Sequence, residues 1–104
     1  MAQFDVYRND NSETSERFPF HVDVQADLFE ELQSRVVIPL SKAEPTDFPM
    51  AYLTPTVSFD GLAYLLMTPQ LAGVAREEIG ARAGSVADQE RAIATAIDFL
   101  LRGF

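Results

Sequence analysis

The chain has 104 residues, 47% of them hydrophobic and 23% charged. Those figures fit one globular domain with a modest core and exclude multidomain enzymes and large cofactor folds. Sixteen Asp and Glu against eight Lys and Arg give a formal net charge of −8, so the surface is mostly negative, repels phosphate backbones and favours a basic partner over bare nucleic acid. With no cysteine, disulfides, thiolate nucleophiles and Cys-ligated zinc are excluded. The start, Met1-Ala2-Gln3-Phe4-Asp5, shows no secretory signal pattern, and no apolar run approaches the roughly 20 residues of a membrane span. A cytoplasmic protein with no membrane partner is expected.

In chain order, residues 3–7 alternate polar and apolar, as a strand does. Residues 8–17 are almost wholly polar and read as a mobile surface loop. Alternation resumes over 18–25, with Phe20, Val22 and Val24 on one face and His21, Asp23 and Gln25 on the other, so the first two strands form a hairpin. Residues 27–33 carry Leu28, Phe29 and Leu32 among acids, enough for one helical turn. Residues 36–40, Val-Val-Ile-Pro-Leu, read as a buried strand whose Pro39 points to an edge, a bulge or a strand end. Residues 41–55 hold Pro45, Pro49 and Pro55 and read as an extended loop.

Residues 56–59 and 62–68 flank Asp60-Gly61, a strong hairpin signal because both turn positions tolerate positive φ. Residues 70–84 lean helical by propensity but are interrupted by Gly73, Gly80 and Gly84. A helix follows over about 86–102, with Ser85 as N-cap, Asp88 in a capping-box position, and Ile93, Ile97, Leu100, Leu101 and Phe104 on one face. Gly103 sits where such a helix ends. The predicted architecture is mainly β: five or six strands in a small antiparallel sheet or barrel with one C-terminal helix.

Chemistry is sparse. The one imidazole is His21, the serines lack a nucleophile-elbow setting, and there is no phosphate-binding glycine loop. No metal site is expected, because the acids Asp27, Glu30 and Glu31 lack calcium-loop spacing and read as a solvated face. No catalytic residue and no cofactor are predicted, which leaves binding. The loops 8–17 and 41–55 and the terminus from Asp98 to Phe104 are the candidate surfaces, although Phe104 also suits a simple hydrophobic staple onto the core.

Several segments resemble the CcdB toxins. These are Gln3-Phe4-Asp5-Val6-Tyr7, the run Phe20-His21-Val22-Asp23-Val24-Gln25-Ala26-Asp27-Leu28, and Arg35-Val36-Val37-Ile38-Pro39-Leu40. To them are added Leu66-Met67-Thr68 and Ala96-Ile97-Asp98-Phe99-Leu100-Leu101-Arg102-Gly103-Phe104. Their order and spacing match over nearly the whole chain. The resemblance implies an SH3-like barrel of the type shared with MazF and Kid, a C-terminal helix and a homodimer. It implies a toxin, not an enzyme, that binds the DNA gyrase A subunit and traps the cleaved gyrase–DNA complex. A CcdA-like antitoxin would neutralise it and repress the operon with it, touching operator DNA in its place. The gyrase-binding positions carried over are Asp98, Leu101, Arg102, Gly103 and Phe104, with Leu28 and Phe29 nearby. Leu100 and Phe104 are expected at the dimer contact.

The sequence departs from the family pattern at four places. Arg102 stands where the best-known member has Trp, Phe104 where it has Ile, and Asp98 where it has Asn. Asp98 and Arg102 are spaced to pair with each other along the helix. In the stretch 70–84, Ala75-Arg76-Glu77-Glu78 replaces a more strand-like sequence. Two alternatives follow. One is a relative that still binds an antitoxin but no longer poisons gyrase. The other is a MazF/Kid-like mRNA endoribonuclease using His21 and Arg35, which the net charge disfavours.

Overall fold

The structure is a computed structural model that describes residues 1–42, 50 and 52–103. Seven strands and one helix follow in order: β1 (Asp5–Arg8), β2 (Phe20–Asp23), β3 (Ser34–Lys42), β4 (Thr56–Phe59), β5 (Leu62–Leu66), β6 (Ala72–Ala75), β7 (Arg82–Ser85) and α1 (Glu90–Arg102). They form one antiparallel sheet in the order β4-β5-β3-β2-β1-β7, with β6 also paired to β3. The expected small barrel with a terminal helix is therefore present, with more strands than the sequence suggested.

Alternation explains the core. Val6 pairs with Val22 and Val22 with Ile38. All three are fully buried, together with Leu40, Val57, Leu66 and Val86. Ile93 and Ala96 of α1 close over them, and Ile97 packs partly in. The sheet curls until its ends meet: a methyl group on Gly84 of β7 would lie 2.7 Å from the Phe59 ring of β4. A side chain at that position would have to displace the Phe59 ring, and glycine avoids this.

The hairpin turn is as expected, with Asp60 at φ 52° and Gly61 at φ 81°. The preceding strands differ in instructive ways. Pro39 lies on a central strand, not an edge. Its carbonyl accepts the Met67 N–H at 2.9 Å. A residue's N–H and C=O point to the same side of a strand, so the missing donor falls where the partner of β3 changes from β6 (residues 34–37) to β5 (residues 40–42).

Arg8 ends β1, and the polar residues that follow it form a hydrogen-bonded turn. Asn9 donates through Nδ2 to the Phe18 carbonyl (2.8 Å) and to Thr14 Oγ1 (3.0 Å), and Asn11 and Thr14 accept backbone N–H groups within the turn. Polar composition here supplies local hydrogen bonds in place of a core. Residues 70–84 form β6, a 3-10 turn at Arg76–Glu78 and β7, so tertiary pairing overrides helical propensity. Ser85 is not an N-cap: it ends β7, and although its Oγ accepts the Ala87 N–H at 3.1 Å, Val86 occupies the cap position of the 3-10 turn at Ala87–Gln89. The helix proper starts later than predicted, at Glu90, and no capping box with Asp88 forms. Most of the loop predicted over 41–55 lies outside the described residues, while Ser41 and Lys42 extend β3.

Candidate binding surfaces

The opposite face of β1, β2 and β3 is buried too, and it is polar. Tyr7 pairs with His21, His21 with Pro39, and Asp23 with Val37. Arg35 and Asp23 are completely buried, with Arg35 Nε donating to Asp23 Oδ2 at 2.8 Å and Nη2 lying 2.6 Å from the same oxygen. Asp23 Oδ1 accepts the Gln25 N–H at 3.0 Å. Burial raises the Asp23 carboxyl above its ordinary value despite the guanidinium. Burial, reinforced by Asp5, pushes the Tyr7 phenol up to about 12. Burial likewise pushes Asp5 up, but Arg82, the Ala2 N–H and Tyr7 outweigh it and hold that carboxyl low. His21 is held below its usual range by burial alone.

This layer governs the two residues suggested for RNA cleavage. Arg35 is inaccessible and already paired. His21 stands opposite Pro39, four residues further along β3, so the two α-carbons are about 13 Å apart. They do not converge on one site.

Two of the exposed apolar points fall at positions named by the family resemblance. The first is the 3-10 turn Asp27–Phe29, where Leu28 is 85% exposed, Phe29 50% and the following Leu32 53%. The second is the end of α1. Asp98, Leu101, Arg102 and Gly103 are all exposed there, Leu101 to 73%. Asp98, Leu101 and Arg102 share one side by their i, i+3, i+4 spacing. Leu100 is exposed as well, to 36%. Gly103 adopts φ 78° and donates its N–H to the Phe99 carbonyl at 2.8 Å, the left-handed helix end its position suggested. Phe104 lies outside the described residues. Asp98 and Arg102 do not pair: the ion pairs among the described residues are Asp23–Arg35 and Asp5–Arg82.

Polar anchors invisible to sequence reading hold both ends of this arrangement. Gln89 at the helix start donates through Nε2 to the Ser58 carbonyl (2.7 Å) and accepts the Ser58 N–H (2.9 Å), so its amide pairs with β4 as a neighbouring strand would. Gln25 donates through Nε2 to the Phe29 carbonyl at 2.8 Å and accepts the Val36 N–H at 3.0 Å. Period-two alternation could have flagged Gln25 as a polar residue on a buried strand. Nothing local marks Gln89.

A curled antiparallel sheet closed by one C-terminal helix is an SH3-like small barrel. A family model described as CcdB protein matches residues 3–103, and the chain belongs to that family, a toxin component of a toxin–antitoxin module. Among solved structures the chain is similar to an endoribonuclease in complex with its cognate antitoxin from a mycobacterial species. That match has a TM-score of 0.75 and 14% identity, and covers 97% of this chain and 94% of the other. A second mycobacterial endoribonuclease matches with a TM-score of 0.74 and 17% identity, covering 97% and 90%. At such identities these likenesses establish the fold. No curated protein sequence matches significantly. Among the described residues no helix is long and apolar enough to cross a membrane.

Proposed function

We propose that this chain is a non-enzymatic toxin that acts as a homodimer, binds the A subunit of DNA gyrase and traps the enzyme after DNA cleavage. A CcdA-like antitoxin neutralises it, and the two together repress their operon, with the antitoxin touching DNA. The observation that carries this reading is the free end of α1, where Asp98, Leu101, Arg102 and Gly103 are all exposed at the positions matching the family's gyrase contacts. Two copies brought together by Leu100 and Phe104 would present those termini as one symmetric surface. Arg102 in place of Trp keeps a planar group able to stack and hydrogen-bond, so it can still anchor an interface. The burial of Arg35 and its separation from His21 support the absence of ribonuclease chemistry.

Calorimetric titration against a gyrase A-subunit fragment tests the reading, with Gly103→Arg as control. The parent binds and accumulates cleaved gyrase–DNA complexes, and the control does neither. A folded dimer that fails to bind would overturn the gyrase reading. Normal growth on expression without antitoxin would then favour a module that binds only the antitoxin.

A further inference from the structure

The stretch Ala75-Arg76-Glu77-Glu78, where the sequence leaves the family pattern, has a structural use. Arg76 opens the 3-10 turn after β6, and β6 runs beside the first half of β3. Its backbone N–H donates to the Gln33 carbonyl at 2.9 Å. Its Nη1 reaches the carbonyl of Glu30 and, at 3.4 Å, that of Leu32. These are the carbonyls left unpaired at the end of the turn that displays Leu28 and Phe29.

The same turn is held from two further sides. Gln25 donates to the Phe29 carbonyl, and Gln25 is itself fixed by Asp23 Oδ1, the oxygen opposite the one paired to Arg35. Asp27 Oδ1 accepts the Gln3 N–H at 2.6 Å. None of these contacts buries Leu28, Phe29 or Leu32, which all stay at least half exposed. Three anchors, from the turn after β6, the segment after β2 and the N-terminus, thus hold a short backbone whose apolar side chains are exposed. An exposed apolar turn with nothing beneath it would otherwise sample many shapes and pay the ordering entropy on binding.

We propose that Arg76, together with Gln25, is a positioning residue that holds the Leu28–Phe29 turn in its binding shape for the gyrase A subunit, as an anchor additional to the helix end. This inference rests on the function proposed above.

A double-mutant cycle tests it by calorimetry against the gyrase A-subunit fragment, using the parent, Arg76→Leu, Leu28→Ala/Phe29→Ala and the combination. Arg76→Leu weakens binding about five- to tenfold, the scale of one or two ordered groups becoming loose. In the Leu28→Ala/Phe29→Ala background the same change has little effect, because there is no longer a side-chain pair to position. Arg76→Lys recovers part of the loss, since an ammonium still donates to the two carbonyls. Amide hydrogen exchange at Glu30 and Leu32 speeds up in Arg76→Leu while the core strands keep their protection. A parent protein that does not bind gyrase defeats the functional reading and this inference with it. A parent that binds while Arg76→Leu binds equally well, or loses as much in the alanine background, defeats this inference alone.

Discussion

On one side of β1, β2 and β3 lie Val6, Val22 and Ile38; on the other lie Tyr7, Asp23 and Arg35. Every one of these side chains is withdrawn from water. The apolar face is stabilised without regard to direction, so its members tolerate similar shapes. The polar face works only if each donor finds its acceptor, and a charge left alone there is costly. The difference shows why the polar side, and not the core, leads to the surface: Arg35 orders Asp23, Asp23 orders Gln25, and Gln25 orders the turn that carries Leu28 and Phe29.

The sharpest way to break this contrast is Arg35→Ala. It strands the Asp23 carboxylate and lowers unfolding free energy by about 4 kcal/mol, read from urea melts. Replacing both partners, as in D23L/R35M, recovers much of that loss, because an apolar pair no longer needs a hydrogen bond. A double variant as unstable as the single one would show that the layer acts through packing and not charge. On the other face, Ile38→Ala costs about 3 kcal/mol through lost burial and a residual cavity. Here no second substitution of a neighbouring charge rescues it.

The two pH responses come next. The phenol of Tyr7 titrates near 12 in the folded protein against 10 in the unfolded chain. Its contribution is therefore complete below pH 10 and is lost as pH rises from 10 to 12. Tyr7→Phe removes that alkaline loss, which amounts to about 2–3 kcal/mol in denaturant titrations. His21 is displaced the other way: its folded value is depressed, so its contribution is present above the unfolded value and falls away as pH drops below about 6.5. His21→Gln flattens the acid limb of the stability profile, by less than the tyrosine effect because a half-buried imidazole is only partly desolvated.

Much of this architecture was legible in the sequence because period-two alternation and Asp60-Gly61 report directly on local geometry. The polar face was not, because alternation alone says that His21, Asp23 and Gln25 share a side, not whether that side meets water. Arg35 at the head of Val-Val-Ile-Pro-Leu was the available hint, since a cation adjoining a buried run needs a partner. Residues 70–84 misled because propensity sees only neighbours in sequence, while β6 and β7 are fixed by β3 and β1. The resemblance pointed to the helix end and the Leu28–Phe29 turn, and both are exposed. It could not reveal Arg76, whose carbonyl partners lie more than forty residues earlier in the chain.

The meeting of Phe59 with Gly84, and the pairing of Asp5 with Ser85, have a kinetic consequence. β1 cannot acquire its second neighbour until a segment near the opposite end of the chain arrives, and the curled sheet cannot seal until it does. Such distant pairings cost loop-closure entropy before any contact compensates, so refolding belongs to the millisecond-to-second regime and not the microsecond one. Until β7 docks, the outer edge of β1 stays open. During that interval a newly made chain is most vulnerable to aggregation and proteolysis.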